Sequence, residues 1–372
     1  EILTRLDFSS ELCSQDSLLA TVPSYRADIF EEIDLIEEVA RLYGYDQIDV
    51  TFPVGALVQN SVSTPSVKEH VVKAASGFGL DEVIAYSFIG ESAFDKLKIP
   101  PESPLRSVLR IRNPLRDEQS VMRTTLLPGL MDAVIYNCNR KLVNLGMFEA
   151  GKVFIPRGPG QIPDERLHLG IAACGETEGG WQGRGTERDY YYVKGIIEGI
   201  FDQLGIKKLQ FRRLSDCPFL HSGRGARLLY EEEELGYLGE LHPNVIANYD
   251  LPLRVVVCEV DLEKAVSCSS RQLLYQPIPR FPGINRDLAL VAPAAVPAEQ
   301  VEAIIYRAGG DMLRQCRLFD IYSGDQVPEG YRSLAYSLFY QSLEHTLTDE
   351  DVAGVHRGIV EALQREIGVR LR

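Results

Sequence analysis

The clearest pattern of hydrophobic and polar positions is in residues 22–48, VPSYRADIFEEIDLIEEVARLYGYDQI. Apolar residues recur there at the spacing of one helix face, at Ile29, Ile33, Ile36, Ala40 and Tyr43. Asp28 has the side chain of an N-cap residue, and Gly44 follows where a positive φ is favourable. The pattern predicts one amphipathic helix between these two residues.

Residues 52–275 show a different pattern, in which helical and β-rich stretches alternate. Helical spacing occurs at 65–79 and 126–140, and β-rich runs occur at 83–89 and 145–155. These stretches predict one large block that contains both helices and strands.

Residues 279–372 predict the element order βαββαβ. The expected strands are 285–293, 313–323, 333–343 and 369–372, and the expected helices are 297–309 and 348–368. This order is typical of a ferredoxin-like fold, a four-stranded sheet with two helices on one face. The other face could bind single-stranded RNA by stacking bases on aromatic side chains.

Composition limits the class of protein. A chain of 372 residues with 45% hydrophobic residues can form two to three globular domains. The sequence contains no apolar run of 18 residues and no signal peptide pattern, and its seven cysteines include no CxxC pair. We therefore expect a soluble, cytoplasmic protein without a zinc site or a disulfide framework.

The net charge of −14 argues against a nucleic-acid partner, but the charge is unevenly distributed. Residues 1–51 contain three basic and twelve acidic side chains, a net charge of −9. Residues 279–372 contain ten arginines and no lysine. Because arginine binds phosphates through a planar fork, the last block is the better candidate for contacting RNA.

Four carboxylates lie near the start of the first predicted helix, at Asp28, Asp34, Glu37 and Glu38. Hard oxygen donors at this spacing could hold a hydrated Mg²⁺. An alternative is that the helix dipole favours these acids, and that Glu37 and Glu38 pair with Arg41. The spacing alone leaves both interpretations open.

Motifs in all three blocks resemble one known family. They are VPSYRADI and DLIEEVARLYGYDQI in the first block, GFGLDEVIAYSF, NPLRDEQSVMRTTLLPGLM, NLGMFEAGKVF, DYYYVKGIIEGIF and LGYLGELHP in the second, and RFPGINRDLALV, LFDIYSG, HTLTDEDV and REIGVRLR in the third. In this order they are similar to the β subunits of bacterial phenylalanyl-tRNA synthetases, and the resemblance covers the whole chain.

The resemblance implies an α+β, multidomain fold. Residues 1–51 would be part of a winged-helix-like, Mg²⁺-binding domain, residues 52–275 a catalytic-like class II synthetase α/β module with an antiparallel sheet, and residues 279–372 a ferredoxin-fold anticodon-binding domain. The first helix that the winged-helix-like fold needs is not found after the abrupt start at Glu1. We therefore expect a C-terminal fragment of a longer polypeptide.

The resemblance also implies ligands and partners. In that family the positions matching Asp28, Asp34, Glu37 and Glu38 are assigned as Mg²⁺ ligands. The holoenzyme would contain two α and two β chains, with ATP and phenylalanine bound by the α subunit. This chain would scaffold the α subunit and bind the anticodon of tRNA(Phe) during ATP-dependent aminoacylation.

Class II synthetase chemistry needs two arginines that this chain does not clearly provide. One holds the α-phosphate of ATP, and the other, in a GxGxGxxR-type strand-to-helix turn, holds the far end of the nucleotide. Arg123 resembles the first, but SGRGAR at 222–227 leads into strand-like residues rather than a helix. No Walker-A, HExxH or GxSxG motif is present. We therefore expect no catalysis by this chain alone.

The tRNA contacts are predicted on the second strand of the last block and beside it. Strict alternation assigns Arg317, Phe319 and Ile321 to one face, and Leu318, Asp320 and Tyr322 to the other. The predicted contacts are Arg314, Arg317, Tyr322 and Arg332. As an alternative, Phe319, Tyr336 and Phe339 are ordinary core residues.

Two other functions remain open from sequence. One is a free-standing nucleic-acid-binding regulator derived from such a subunit, which would bind nucleic acid without an α subunit. The other is an active adenylate-forming enzyme, which would catalyse ATP–pyrophosphate exchange by itself.

Overall fold

The computed structural model describes residues 1–371 except 53, 56–63, 159, 182, 208, 269–274, 276 and 325–326. Part of the predicted boundary between 275 and 279, and the last residue of the predicted strand 369–372, lie outside the described residues. The chain divides into two compact units, Glu1–Ser270 and Arg271–Arg372. Within the described ranges, no helix is long and apolar enough to cross a membrane.

The first unit contains helices and strands in mixed order. Its helices are α1 (Ile2–Arg5), α2 (Glu32–Tyr43), α3 (Thr64–Gly77), α4 (Ser92–Lys96), α5 (Leu127–Cys138), α6 (Tyr190–Gln203), α7 (Pro243–Asn248) and α8 (Leu262–Ser267). Its strands are β1 (Ser9–Leu12), β2 (Leu18–Thr21), β3 (Asp81–Glu82), β4 (Phe88–Ile89), β5 (Val121–Met122), β6 (Leu145–Ile155), β7 (Asp164–Cys174), β8 (Leu209–Arg213), β9 (Leu220–Tyr230), β10 (Glu233–Leu241) and β11 (Val255–Asp261).

A seven-stranded sheet forms the centre of this unit, in the order β3-β6-β7-β11-β10-β9-β8. Every neighbouring pair is antiparallel except β3 and β6. Side chains of α3 and α6 bury the apolar residues of one face, and side chains of α5 pack against the other face. Helices on both faces explain why β11 is entirely buried and why β7 is buried from Leu169 to its end.

Most elements predicted for residues 52–275 are confirmed, since α3, α5 and β6 lie within two residues of their expected positions. The predicted strand 83–89 is wrong. Only Phe88–Ile89 of that stretch is a strand, and it pairs with β5 rather than with β6. Val83 is the last residue there that donates to the backbone of β6, at 2.7 Å to the oxygen of Phe148, before the chain turns away.

Helix α2 begins later than the sequence pattern predicts. Its N-cap is Glu31, and Oδ2 of Asp34 accepts hydrogen bonds from the amides of Phe30 (2.8 Å) and Glu31 (2.9 Å). The prediction of Asp28 as N-cap is therefore wrong, because Asp34 satisfies the amides at the helix start. Gly44 ends the helix with φ of 104°, as predicted.

The apolar stripe of α2 is only partly buried. Ile33, Ile36 and Tyr43 are exposed, although their spacing places them on one helix face. Within the described residues, this face remains uncovered.

The second unit confirms the predicted βαββαβ order. Its elements are β12 (Ile284–Pro293), α9 (Ala298–Gly309), β13 (Leu313–Tyr322), β14 (Tyr331–Tyr340), α10 (Asp349–Ile367) and β15 (Arg370–Leu371). The sheet order is β13-β14-β12-β15, and all pairs are antiparallel. Both helices pack on one face, where Tyr336, Leu338 and Tyr340 are buried. Among the described residues of this unit, no helix packs on the other face of the sheet.

Candidate functional sites

The acidic residues near α2 are held by arginines. Arg26 donates two hydrogen bonds to Asp28, at 2.9 and 2.7 Å, and its Nη2 lies 3.2 Å from Oε1 of Glu38. Arg41 reaches the other oxygen of Glu38 at 2.7 Å. The hydrogen bonds from Arg26 lower the pKa of both carboxyls, with Arg41 adding to the effect on Glu38. The two acids therefore balance the charge of neighbouring guanidinium groups.

The other two predicted metal ligands have different surroundings. Asp34 caps α2, and the two backbone hydrogen bonds that it accepts lower its pKa. Glu37 is exposed. Among the described residues, no group of three or more His, Cys, Asp or Glu side chains is arranged to hold a metal ion. As arranged, the four carboxylates do not fit a Mg²⁺ site, because Arg26 lies between Asp28 and Glu38.

The α5 side of the seven-stranded sheet contains a buried ion pair. Nη1 of Arg123 lies 2.7 Å from Oε1 of Glu149, and the two side chains are only 3% and 5% exposed. Nε of Arg123 also donates to the carbonyl oxygen of Lys152 at 2.9 Å. Arg123, which resembles a nucleotide-binding arginine in sequence, is thus held by Glu149 and Lys152 inside the protein.

A second buried network on this face surrounds Glu259. Its carboxylate accepts from the amide of Leu126 at 3.1 Å, from Tyr237 at 3.0 Å and from the hydroxyl of Thr125, and lies 2.8 Å from Nδ1 of His168. Burial acts to raise the pKa of Glu259, but these partners, His168 above all, hold it below its ordinary value. The network fixes the side chain in the charged form.

The glycine-rich segment 222–227 lies inside β9 and forms no strand-to-helix turn. Its Arg224 pairs with Glu240 at 2.6 Å, and its Arg227 pairs with Asp216 at 3.2 Å. The arginines of this segment are therefore engaged within the sheet.

Exposed apolar side chains mark one stretch between β3 and β4. Ile84 is 89% exposed and Tyr86 is 72% exposed, and Phe88 is also exposed. We call residues 83–89 the docking segment. Three apolar side chains at alternate positions form the type of surface that a protein partner covers.

The uncovered face of the four-stranded sheet, which we call the open face, can be assigned from the strand register. Residues directly opposite in an antiparallel pair lie on the same face. Ser337 of β14 pairs with Arg317 and with Asp287, whereas its neighbour Tyr336 is buried under the helices. Arg317 and Asp287 therefore lie on the open face.

A β-bulge corrects the predicted alternation along β13. Leu318 pairs with Tyr336 but Asp320 pairs with Ala335, so Phe319 is an extra residue between them. Tyr322 consequently pairs with Ser333 and shares the open face with Arg317. The prediction that Tyr322 and Arg317 lie on opposite faces is wrong.

The other two predicted contacts have different positions. Arg332 pairs with the buried Ala292, which places it on the helix-covered face, and its Nη2 donates to the oxygen of Val296 at 2.7 Å. Arg314 is exposed at a second bulge, and its Nε donates to the oxygen of Gln341 at 3.2 Å. The structure thus groups Arg317 with Tyr322 but not with Arg332.

A groove of about 420 Å³ lies on the open face. Its lining residues are Asn285, Asp287, Gln315, Arg317, Phe319, Ser337 and Phe339. Phe319 is half exposed, whereas Tyr336 is a core residue as the alternative interpretation had it. Sequence reasoning did not identify Asn285, Asp287, Gln315 and Ser337, although their alternation with the apolar residues of their strands indicated the open face.

Three family models match the chain. The phenylalanyl tRNA synthetase beta chain CLM domain matches residues 48–262, the ferredoxin-fold anticodon binding domain matches 279–372, and the tRNA synthetase B5 domain matches 1–45. The chain belongs to the phenylalanyl-tRNA synthetase β chain family. In this family member the acidic residues near α2 lie in the B5 match, the open face lies in the anticodon-binding match, and the Arg123 pair, the Glu259 network and the docking segment lie in the CLM match.

Curated relatives carry the same family name, phenylalanine–tRNA ligase beta subunit. The protein of Moorella thermoacetica is 45% identical, covering 100% of this chain and 46% of that protein. Those of Symbiobacterium thermophilum and Clostridium tetani are 40% and 38% identical, covering 96% and 100% of this chain and 40% and 46% of their own length. The chain spans about half the length of the curated relatives it matches.

Among solved structures, a pyrrolysyl-tRNA synthetase from Desulfitobacterium hafniense shares 17% identity with the chain. The superposition covers 57% of this chain and 74% of the synthetase, with a TM-score of 0.44. This similarity is too low to support a conclusion.

Proposed function

We propose that this chain is the tRNA-binding and α-subunit-binding part of a phenylalanine–tRNA ligase β subunit. The open face carries the proposal, since it lies in the match to the anticodon-binding family and presents Arg317, Phe319 and Tyr322 together. Aromatic rings stack on bases, and arginine binds phosphates. The complex to which the chain belongs would join phenylalanine to tRNA(Phe) in the cytoplasm.

We infer that the chain itself binds neither ATP nor phenylalanine, which the α subunit would hold. The inference is supported by the burial of Arg123 against Glu149, because a guanidinium in a buried ion pair is not available to a phosphate. It is also supported by the position of segment 222–227 inside a strand.

For the α subunit, we propose the docking segment as the contact surface. Exposure of Ile84, Tyr86 and Phe88 supports this assignment, because isolated proteins rarely leave neighbouring apolar side chains in water. The complex would contain two α and two β chains.

Mg²⁺ binding by Asp28, Asp34, Glu37 and Glu38 stays a prediction. It requires Arg26 to release Asp28 and Glu38, because a cation and a guanidinium cannot occupy the same carboxylate oxygens.

The proposed function can be tested by combining the chain with a cognate α subunit. We expect a complex of both chains that catalyses ATP–pyrophosphate exchange, and no exchange by the chain alone. Arg317→Ala should weaken the affinity of the complex for tRNA(Phe) by about tenfold, the effect of losing a charged hydrogen bond, without changing exchange.

Arg332→Ala is the matched control, because Arg332 lies on the covered face and should leave the tRNA affinity unchanged. Exchange by the isolated chain would refute the non-catalytic role. Equal tRNA affinities for Arg317→Ala and the unmodified complex would refute the role of the open face.

A further inference from the structure

The docking segment has no apolar packing of its own at its centre, yet its backbone is fixed. At one end, the amide of Val83 donates to the oxygen of Phe148 at 2.7 Å. At the other, the oxygen of Ser87 accepts from the amide of Arg123 at 3.0 Å. Between them Ile84 and Tyr86 project into solvent. The shape of this surface therefore depends on what lies underneath it.

The buried ion pair of Arg123 and Glu149 lies underneath. Both ends of the docking segment are attached beside the pair, since the oxygen of Ser87 accepts from the amide of Arg123 and the amide of Val83 donates to Phe148, the neighbour of Glu149. Burial raises the pKa of Glu149, and the charge of Arg123 opposes that rise. Arg123 in turn joins the docking segment to β6 by donating to the oxygen of Lys152.

Two glycines make room for this arrangement. A Cβ atom at Gly151 would collide with the guanidinium of Arg123 and with the Glu149 carboxylate. A Cβ atom at Gly129, in α5, would lie 2.6 Å from the Cβ atom of Ala85. The pair is thus enclosed by β6 on one side, and α5 touches the docking segment on the other.

We propose that Arg123 and Glu149 are positioning residues for partner binding, which hold the docking segment in the conformation that the α subunit recognises. The proposal rests on the proposed function for its partner. It gives a role to Arg123, which resembles a nucleotide-binding arginine in sequence but pairs with the carboxylate of Glu149. The pair acts through the backbone hydrogen bonds at Val83 and Ser87 and contacts no partner itself.

Hydrogen exchange of the full chain tests the positioning role directly. Glu149→Gln keeps the shape of the side chain and removes its charge. In this variant we expect the amides of residues 84–88 to exchange about tenfold faster, because the docking segment opens more often. Exchange of the β11 amides should be unchanged. Association with the α subunit should weaken by about tenfold, since a loosened surface must be ordered on binding. Glu165→Gln, which removes an exposed pair with Lys152 on the same sheet, is the control and should change neither.

Gly129→Ala provides a second test should Glu149→Gln not fold. Its added methyl group would clash with Ala85 at 2.6 Å but would meet Oε2 of Glu149 only at the ordinary contact distance of 3.9 Å, so it should also speed exchange at 84–88 and weaken association. Equal acceleration across the whole unit would show that the pair stabilises the fold in general, and unchanged exchange at 84–88 would also refute the proposal. If the unmodified chain fails to bind the α subunit, the proposed function fails, while the exchange data still decide the positioning role.

Discussion

The α5 side of the seven-stranded sheet and the open face of the four-stranded sheet both carry charged side chains. The two faces differ in whether these side chains are buried or exposed to solvent. On the first, Glu149 and Glu259 are buried, and each has a partner within the protein, Arg123 and His168 respectively. On the second, Asp287 and Arg317 lie in a groove open to solvent. The difference indicates that internally paired charges maintain shape, whereas charges left in solvent are available to a ligand.

The largest expected effect is on the buried side. Glu259→Ala removes the acceptor shared by Thr125, His168 and Tyr237, so we expect the free energy of unfolding of the first unit to fall by about 3–5 kcal/mol. Denaturant unfolding followed by circular dichroism measures it. Asp287→Ala on the open face is the counterpart and should change the stability of its unit by no more than about 0.5 kcal/mol. Similar losses in both variants would remove the distinction between the two faces.

An intermediate effect is expected for RNA binding. Phe319→Ala should weaken binding of tRNA(Phe) by the αβ complex by about 1–3 kcal/mol, the range for one base stacked on an aromatic ring. Fluorescence anisotropy with labelled tRNA measures this affinity. Ile321→Ala is closely matched, because Ile321 is 52% exposed against 53% for Phe319 but pairs with Leu334 of the covered face. Equal effects of the two substitutions would show that the open face is not what the RNA recognises.

The smallest expected effect concerns Arg26, which is paired like the buried charges but lies near the surface. Its hydrogen bonds lower the pKa of Asp28 and Glu38, so their stabilising contribution is present above the ordinary carboxyl pKa of about 4 and is lost as pH falls through the lowered values. Arg26→Ala should raise both pKa values toward the ordinary range, measurable by carboxyl NMR titration.

The same variant shows whether Arg26 competes with a cation. With Asp28 and Glu38 released, calorimetry should detect tighter Mg²⁺ binding in Arg26→Ala than in the unmodified chain. Arg5→Ala, which removes an exposed arginine of α1, should alter neither the two pKa values nor Mg²⁺ binding. If Arg26→Ala leaves both pKa values unchanged, Arg26 is not the cause of their lowering.

Sequence patterns predicted the second unit to within two residues at most element ends, because each strand and helix there has its own apolar spacing and its own start signal. The helix predicted at 348–368, for example, is α10 at Asp349–Ile367, and Thr348 caps its start. The bulge at Phe319 was not predictable in the same way, since it depends on the register against β14. Asp28 was misassigned as the N-cap because Asp34 accepts from the amides at the start of α2, while Asp28 pairs with Arg26. The sequence does not show which of several neighbouring acids takes each role.

The extra residue at Phe319 allows strand β13 to lose one residue without changing its alignment with β14. Side chains alternate with a period of two, so the bulge changes the parity of the count between Leu318 and Tyr322. Removing Phe319 alone would leave Asp320 opposite Ala335 and Tyr322 opposite Ser333, so Tyr322 would stay on the open face. Removing a second residue from this stretch would turn the end of the strand over and place Tyr322 on the covered face. Among homologous chains, a single deletion at this point should therefore be tolerated where a double deletion is not.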